Sequence, residues 1–279
     1  MTNIRKRPGL VLPSTTLAPL RRAVDYKDSI IYVGGEGQDF AISGGRLSAL
    51  RDISKGRKRK PFLAQGTAFG MKLRLLSNGI TVLDGTDSGA GSDGYRVPVA
   101  LLNGYSAITH FVIYNRPNAA LVDNQDLLSI NVGHGSSPNL AFQFRTNALG
   151  FASNLVNPVT GASGGLQSSP MGASVSNSWE IAQFIMNFET GERYMRRIAA
   201  DGASNEATPA VSAQAFPLSY FDPSNYHARL FGRPGTGVNR VQALIHRSIT
   251  ISGAHRHDDG GLGQLFVTHC INERARIAS

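Results

Sequence analysis

The stretch SWEIAQFIMNFETGERYMRRIAADG, residues 178–202, reads as a strand, a tight turn, a second strand and a second turn. Ala182, Phe184, Met186 and Phe188 recur at every second residue, with Glu180, Gln183 and Asn187 between or opposite them. That is the period of a strand that buries one face. Thr190-Gly191 and Asp201-Gly202 close the two strands, because glycine takes the positive φ of a tight turn at no steric cost. A second stretch, ARLFGRPGTGVNRVQALIHRSITISG (228–253), adds a small-residue approach and one further strand. Ser252 is placed to cap a short helix running through Asp258-Asp259, with Leu262, Leu265 and Phe266 turned inward. The pattern predicts an all-β chain built as an antiparallel sandwich, with a short C-terminal helix.

Working outward, further strands are expected at 29–33, 80–83, 108–114, 127–132 and 140–146. In the last of these, Leu140, Phe142 and Phe144 alternate with Ala141, Gln143 and Arg145. The Gly-, Ser- and Pro-rich segment 154–177 is expected as an extended loop beside the sheet, and 216–226 as irregular. The chain has 279 residues, 41% of them apolar and 31 of them glycine. A single β domain over 25–279 with many turns fits these values. No run of about 18 apolar residues offers a membrane span. Pro13 and Pro19 break GLVLPSTTLAPL, so a secretory signal with its continuous apolar core of roughly 7–15 residues is not expected. Cys270 is the one cysteine, which excludes an internal disulfide and Cys-x-x-Cys metal sites; it reads as a small buried hydrophobe made in a reducing cytoplasm.

The net charge of +9 is unevenly placed. Residues 1–75 carry 15 Lys/Arg against 5 Asp/Glu, whereas 76–279 carry 13 against 14. Within 1–24, Pro8, Pro13 and Pro19 favour extended backbone. Arg5, Lys6 and Arg7 at one end and Arg21 and Arg22 at the other bracket Leu10, Leu12 and Leu17. These residues describe an arm, 1–24, that orders against a partner surface, with Arg5, Lys6, Arg7, Leu10, Leu12, Arg21 and Arg22 as its docking residues. The run from Lys55 to Lys60 is the densest positive charge. It reads as a solvated loop or as a phosphate contact, with no aromatic residues interleaved for base stacking.

Chemistry-bearing patterns are sparse. Glycoside hydrolysis needs two carboxylates flanking one bond, and the chain has six Glu, none two residues from an Asp. Glu189 and Glu192 flank a turn and read as exposed. His255 and Asp259, at i and i+4, are a metal-chelating spacing without an indicated third ligand, and read better as a polar helix start. DGTDSGAGSDG (84–94) places Asp84, Asp87 and Asp93 in a loop that allows at most weak Ca2+ binding, since the EF-hand spacing and bidentate Glu are missing. No other cofactor is expected. His110 and His246 sit in strand patterns and read as hydrogen-bonded structural histidines.

Arg51-Asp52-Ile53-Ser54, Leu83-Asp84-Gly85-Thr86-Asp87, the 178–202 hairpin and LFGRPGTGVNRVQALIHRSITISG (230–253) together resemble concanavalin A-like, laminin-G-like jelly rolls of phage and bacterial surface proteins. The likeness spans roughly residues 42–271. Lys55 stands where the family has glycine, Leu50 or Arg51 where it has tryptophan, and 241–247 lacks its acidic residue, so no calcium or sugar site transfers. The arm resembles docking arms of bacteriophage virion proteins. These resemblances imply a non-enzymatic virion structural protein, a head decoration or a tail or fibre component. It would be made in the host cytoplasm, docked by its arm to other virion proteins and homo-oligomeric, and would display a lectin-like domain to host surface glycans. The alternatives are a glycan-active depolymerase or hydrolase of the same fold, and a nucleic-acid-associated protein acting through Lys55–Lys60.

Overall fold

Alternating apolar residues and glycine-closed turns produce a chain that is mostly strand. The computed structural model describes residues 30–36, 38, 45–52, 62–66, 70–86, 92–97, 106–117, 125–132, 139–147, 150–156, 163–168, 177–206, 210–211, 226–232 and 241–279. The docking arm with Arg5, Lys6, Arg7, Leu10, Leu12, Arg21 and Arg22, and the run Lys55–Lys60, lie outside the described residues. The strands in chain order are β1 (Ile30–Gly34), β2 (Ala49–Leu50), β3 (Phe62–Gly66), β4 (Lys72–Leu75), β5 (Thr81–Asp84) and β6 (Ser92–Val97). They continue with β7 (Ala107–Asn115), β8 (Gln125–Val132), β9 (Asn139–Asn147), β10 (Gly150–Val156), β11 (Ser163–Ser168) and β12 (Trp179–Asn187). The last are β13 (Glu192–Ile198), β14 (Ser204–Glu206), β15 (Ala210–Val211), β16 (Tyr226–Leu230) and β17 (Leu244–Ser252), followed by helix α1 (Leu262–Ala278).

The hairpin β12–β13 forms as the sequence predicts, in register from Ile181↔Ile198 to Met186↔Arg193. Gly191 (φ 73°) and Gly202 (φ 89°) take the left-handed conformation at its two turns. Asn187 Oδ1 accepts the N–H groups of Glu189 and Thr190, and Asp201 Oδ1 accepts that of Ala203, so each turn is held by its own side chain. Around the hairpin a first sheet runs β14-β13-β12-β7-β17-β5-β4; β1 also pairs with β17, and β15 with β13. A second sheet runs β11-β10-β9-β8-β16-β6-β3-β2. All pairings are antiparallel, and the chain is an all-β sandwich.

The core fills the space between the sheets. Ala182, Phe184, Met186 and Phe188 face Phe142 and Phe144 of the second sheet. Phe144 stacks on Phe184 at 4.4 Å between centroids, and Phe142 meets Phe144 edge-on at 4.2 Å. Each fully buried aromatic of this kind contributes about 1.5–3 kcal/mol of burial. His110 lies within this core, stacked on Phe144, and its Nδ1 shares a 2.8 Å hydrogen bond with Thr250 Oγ1. Burial holds its pKa down at about 3, so the ring is neutral, the structural role its strand position predicts.

Two sequence expectations are corrected. The segment 154–177 is not one loop: β11 pairs with β10 from Ala152↔Ser168 to Val156↔Ser163, with a register shift after Asn154. Its sequence, SGGLQS, has no apolar period, but backbone N–H and C=O groups pair whatever the side chains are. The helix is not short and Ser252 does not cap it. Ser252 is the last residue of β17, and α1 runs for 17 residues from Leu262. Gly253 (φ 98°) turns the chain out of the sheet, and His255 Nε2 bonds back to the Ser252 carbonyl at 2.8 Å. Asp259 then receives the first helical N–H groups, from Gly261, Gly263 and Gln264 at 2.7, 3.2 and 3.4 Å.

α1 lies on the outer face of the first sheet. Phe266, Val267 and Cys270 pack on Phe111, Ile113, Ile181, Ile198, Ile249 and Ile251. Cys270 is buried, and burial pushes its thiol far above the ordinary range, in line with a hydrophobic role. Among the described residues, no helix is long and apolar enough to cross a membrane.

Candidate functional site

Among the described residues, chemistry-bearing side chains gather at three places. The first joins α1 to the sheet. In β17, Ile245 pairs with Tyr114 and Arg247 with Ile113, so His246 is an extra, bulged residue. The bulge turns both His246 and Arg247 toward α1, where strict alternation would send them to opposite faces. Glu273 Oε2 lies 2.9 Å from His246 Nε2 and accepts N–H groups from Arg247 (3.1 Å) and Arg276 (3.0 Å). Glu36 accepts from Arg247 and, at 2.6 and 3.1 Å, from Arg276. Burial alone would raise both carboxyls. The hydrogen bonds from Arg276 and Arg247 instead hold Glu36 at about 2, and those from His246 and Arg276 hold Glu273 far below the carboxylate range. Nearby, the Tyr32 hydroxyl and His269 Nε2 share a 3.0 Å hydrogen bond. Burial, chiefly, keeps His269 neutral with a pKa of about 4.

The ligating atoms of Glu36, His246 and Glu273 all lie within 4.8 Å of one another, a spacing that suits a metal ion. The charge balance does not. Arg276 Nη2 stands 2.6 Å from Glu36, 3.0 Å from Glu273 and 3.4 Å from His246, in the place a cation would take. Two guanidiniums already neutralise two carboxylates, so the cluster is an ion-pair lock between helix and sheet.

The other ligand-spaced residues that the structure describes are also engaged. His255 and Asp259 approach only to 3.7 Å, and Asp259 serves the helix N-terminus. His257 bridges the Tyr194 hydroxyl (3.2 Å) and Glu206 (3.1 Å), so HRHDD stitches the entry to α1 onto the sheet. Asp84 is buried, accepts from the Thr86 N–H and hydroxyl, and pairs with Arg74 at 2.7 Å. Asp93 falls in β6, and Asp87 lies outside the described residues. Glu189 and Glu192 are exposed beside their turn, as expected.

The second place, absent from the sequence reading, is at one end of the inter-sheet space. Glu180 is fully buried and paired with Arg197, whose Nε lies 3.1 Å from Oε2 and whose Nη2 reaches Oε1; the Tyr114 hydroxyl donates to Oε2 at 2.7 Å. Arg116, one residue beyond β7, is buried beside them. No sequence pattern links these residues; adjacent strands bring them together.

The third place is a groove of about 180 Å³ lined by Trp179, Ala200, Ile271, Arg274, Ala275 and Ala278. The helix residues are spaced i, i+3, i+4 and i+7, one face of α1. Arg274 Nη1 donates to the Ala199 and Ile198 carbonyls and so pins the β13–β14 turn against the helix. Trp179, the only tryptophan, is half-buried, edge-on to His246 at 6.4 Å. An indole, a guanidinium and small apolar side chains around one hollow can hold a ring that has an apolar face and a polar rim.

No protein-family model matches the chain. No curated protein matches its sequence. Similarity appears among solved structures. The sialidase of Trypanosoma rangeli covers 94% of this chain at 9% identity and a TM-score of 0.51, and the chain spans 38% of that enzyme. A carbohydrate esterase of the Shiga toxin-encoding bacteriophage phi24B covers 68% at 16% identity and a TM-score of 0.35, with 91% of its own length matched. Tailspike protein 2 of the Escherichia coli O157:H7 bacteriophage CAB120 covers 68% at 14% identity and a TM-score of 0.43, and the chain spans 24% of it. The likeness to the sialidase is one of fold alone.

Proposed function

We propose that the chain is a non-enzymatic, glycan-binding β-sandwich of a bacteriophage virion, attached through its N-terminal arm and presenting the Trp179 groove to a host surface saccharide. The groove carries this reading. It sets an indole and the Arg274 guanidinium around a hollow suited to a small ring. The virion setting rests on the basic, proline-punctuated arm and on the concentration of positive charge in residues 1–75. The binding rather than hydrolytic reading rests on Glu180, which is committed to Arg197 and Tyr114, and on the solvent-facing Glu189 and Glu192.

The single tryptophan makes the test direct. Host capsular and lipopolysaccharide fragments titrated into the protein should shift Trp179 emission saturably, and Arg274→Gln should weaken that response at least tenfold. Unchanged emission together with no retention on any host polysaccharide would remove the glycan reading. Release of new reducing ends would replace it with a depolymerase. Retention on nucleic acid that falls steeply with salt would favour the Lys55–Lys60 alternative.

A further inference from the structure

We infer that the end of the inter-sheet space beside Arg116 is a binding site for an oxyanion, a carboxylate, sulfate or phosphate group held by the Arg116 guanidinium. Tyr114 belongs to the inter-sheet core, and Arg116, one residue past the end of β7, is coupled to Tyr114, Glu180 and Arg197 there. Arg116 is 3% exposed and is followed by the half-buried Pro117; its carbonyl accepts the Asn177 N–H at 2.8 Å. Its Nε and Nη1 are buried without a hydrogen-bond partner.

Glu180 is bound through both oxygens by Arg197 and also accepts the Tyr114 hydroxyl. Burial, reinforced by Glu180, pushes the Tyr114 phenol far above its ordinary range, so that group stays neutral. Among the described residues, Tyr114, Glu180 and Arg197 act electrostatically on Arg116. Among the described residues, Arg116 and Arg197 thus face one carboxylate, Glu180, whose oxygens Arg197 and Tyr114 already occupy, so Arg116 has no carboxylate of its own. A guanidinium cannot relieve this by losing its proton. A buried charge is kept where it is paired, and the planar N–H array of arginine fits an oxyanion. The anion must come from outside this cluster.

This inference stands apart from the Trp179 groove, because Arg116 faces the opposite side of the sheet. The test is the melting temperature of the whole chain at fixed ionic strength in chloride, sulfate, phosphate, glucuronate and neutral glucose. The oxyanions should raise it saturably by roughly 5 °C over chloride, and glucose should leave it unchanged. A larger effect of glucuronate than of sulfate or phosphate assigns the site to the acid group of a sugar; equal effects assign it to a small inorganic anion. Arg116→Met should abolish the rise and, in chloride, melt no lower than the wild type, since it removes an uncompensated charge. A wild-type series that is flat across the anions overturns the inference even if the variant fails to fold. So does a variant that keeps the full rise. Trp179 emission read in the same samples separates this outcome from glycan binding at the groove.

Discussion

Glu180 and Arg197 form a buried ion pair on neighbouring strands of the first sheet, two bonds deep, with Arg197 Nε 3.1 Å from the carboxylate. The pair closes one end of the inter-sheet core, where apolar side chains give way to Tyr114 and Arg116. Its value lies in being complete: either partner alone is a buried, uncompensated charge.

Glu180→Ala should therefore lower stability by about 3–5 kcal/mol, read from chemical denaturation. Adding Arg116→Met should recover part of that loss, since one of the two stranded cations is then gone. Additive effects of the two changes would show that Arg116 and Glu180 do not interact.

The histidines set a slope below neutrality. His269 and His110 have folded-state pKa values of about 4 and about 3, both depressed by burial from 6.5. Between those values and 6.5 the unfolded chain binds the proton and the folded chain does not. Their contribution is thus complete above about pH 6.5 and is lost as pH falls toward 4 and 3. Glu36 and Glu273, also depressed, add a further loss below about pH 4. Melting temperature should fall continuously from pH 7 to pH 3, and His110→Leu should flatten the curve between pH 6.5 and 4. An unchanged slope would place the titrating groups elsewhere.

Gly263 sits in the first turn of α1, where an added Cβ would run into the Arg256 carbonyl. Helix propensity favours alanine there by about 1 kcal/mol. The collision with backbone should override it, so Gly263→Ala is expected to destabilise by about 1–3 kcal/mol in denaturant melts.

Asp259→Ala removes the acceptor for three N–H groups at that same terminus and should cost about 1 kcal/mol. Far-ultraviolet circular dichroism should show the loss as fraying of α1 ahead of the sheets.

Phe144→Ala empties the centre of the aromatic stack with Phe142, Phe184 and His110, and should cost about 3–5 kcal/mol. A smaller loss in equilibrium unfolding would mean that the two sheets close over the gap.

Local chemistry was readable wherever it acts within a few residues. Ala182, Phe184, Met186 and Phe188 alternate into the core, and Gly191 and Gly202 turn the chain where the sequence places them. Phe142 and Phe144 were readable for the same reason. β11 was not, because an edge strand of SGGLQS is defined by its neighbour's backbone. The true helix start was not either. Ser252 and Asp259 are both sound caps by residue type, and only the exit of the chain through Gly253 chooses between them.

The sequence by itself determined the two-residue period, the turns and hence an all-β chain, since strand pitch and glycine's conformational range are properties of single residues and their neighbours. Tertiary structure alone decided which polar groups meet. Glu36 reaches Arg247 across 211 residues, and Tyr114 reaches Glu180 across 66. The bulge at His246 turns two consecutive side chains onto one face, which no alternating pattern anticipates. Burial then gives these meetings their consequence: inside the sandwich a charge needs a partner, and the Nε and Nη1 of Arg116 are buried without one.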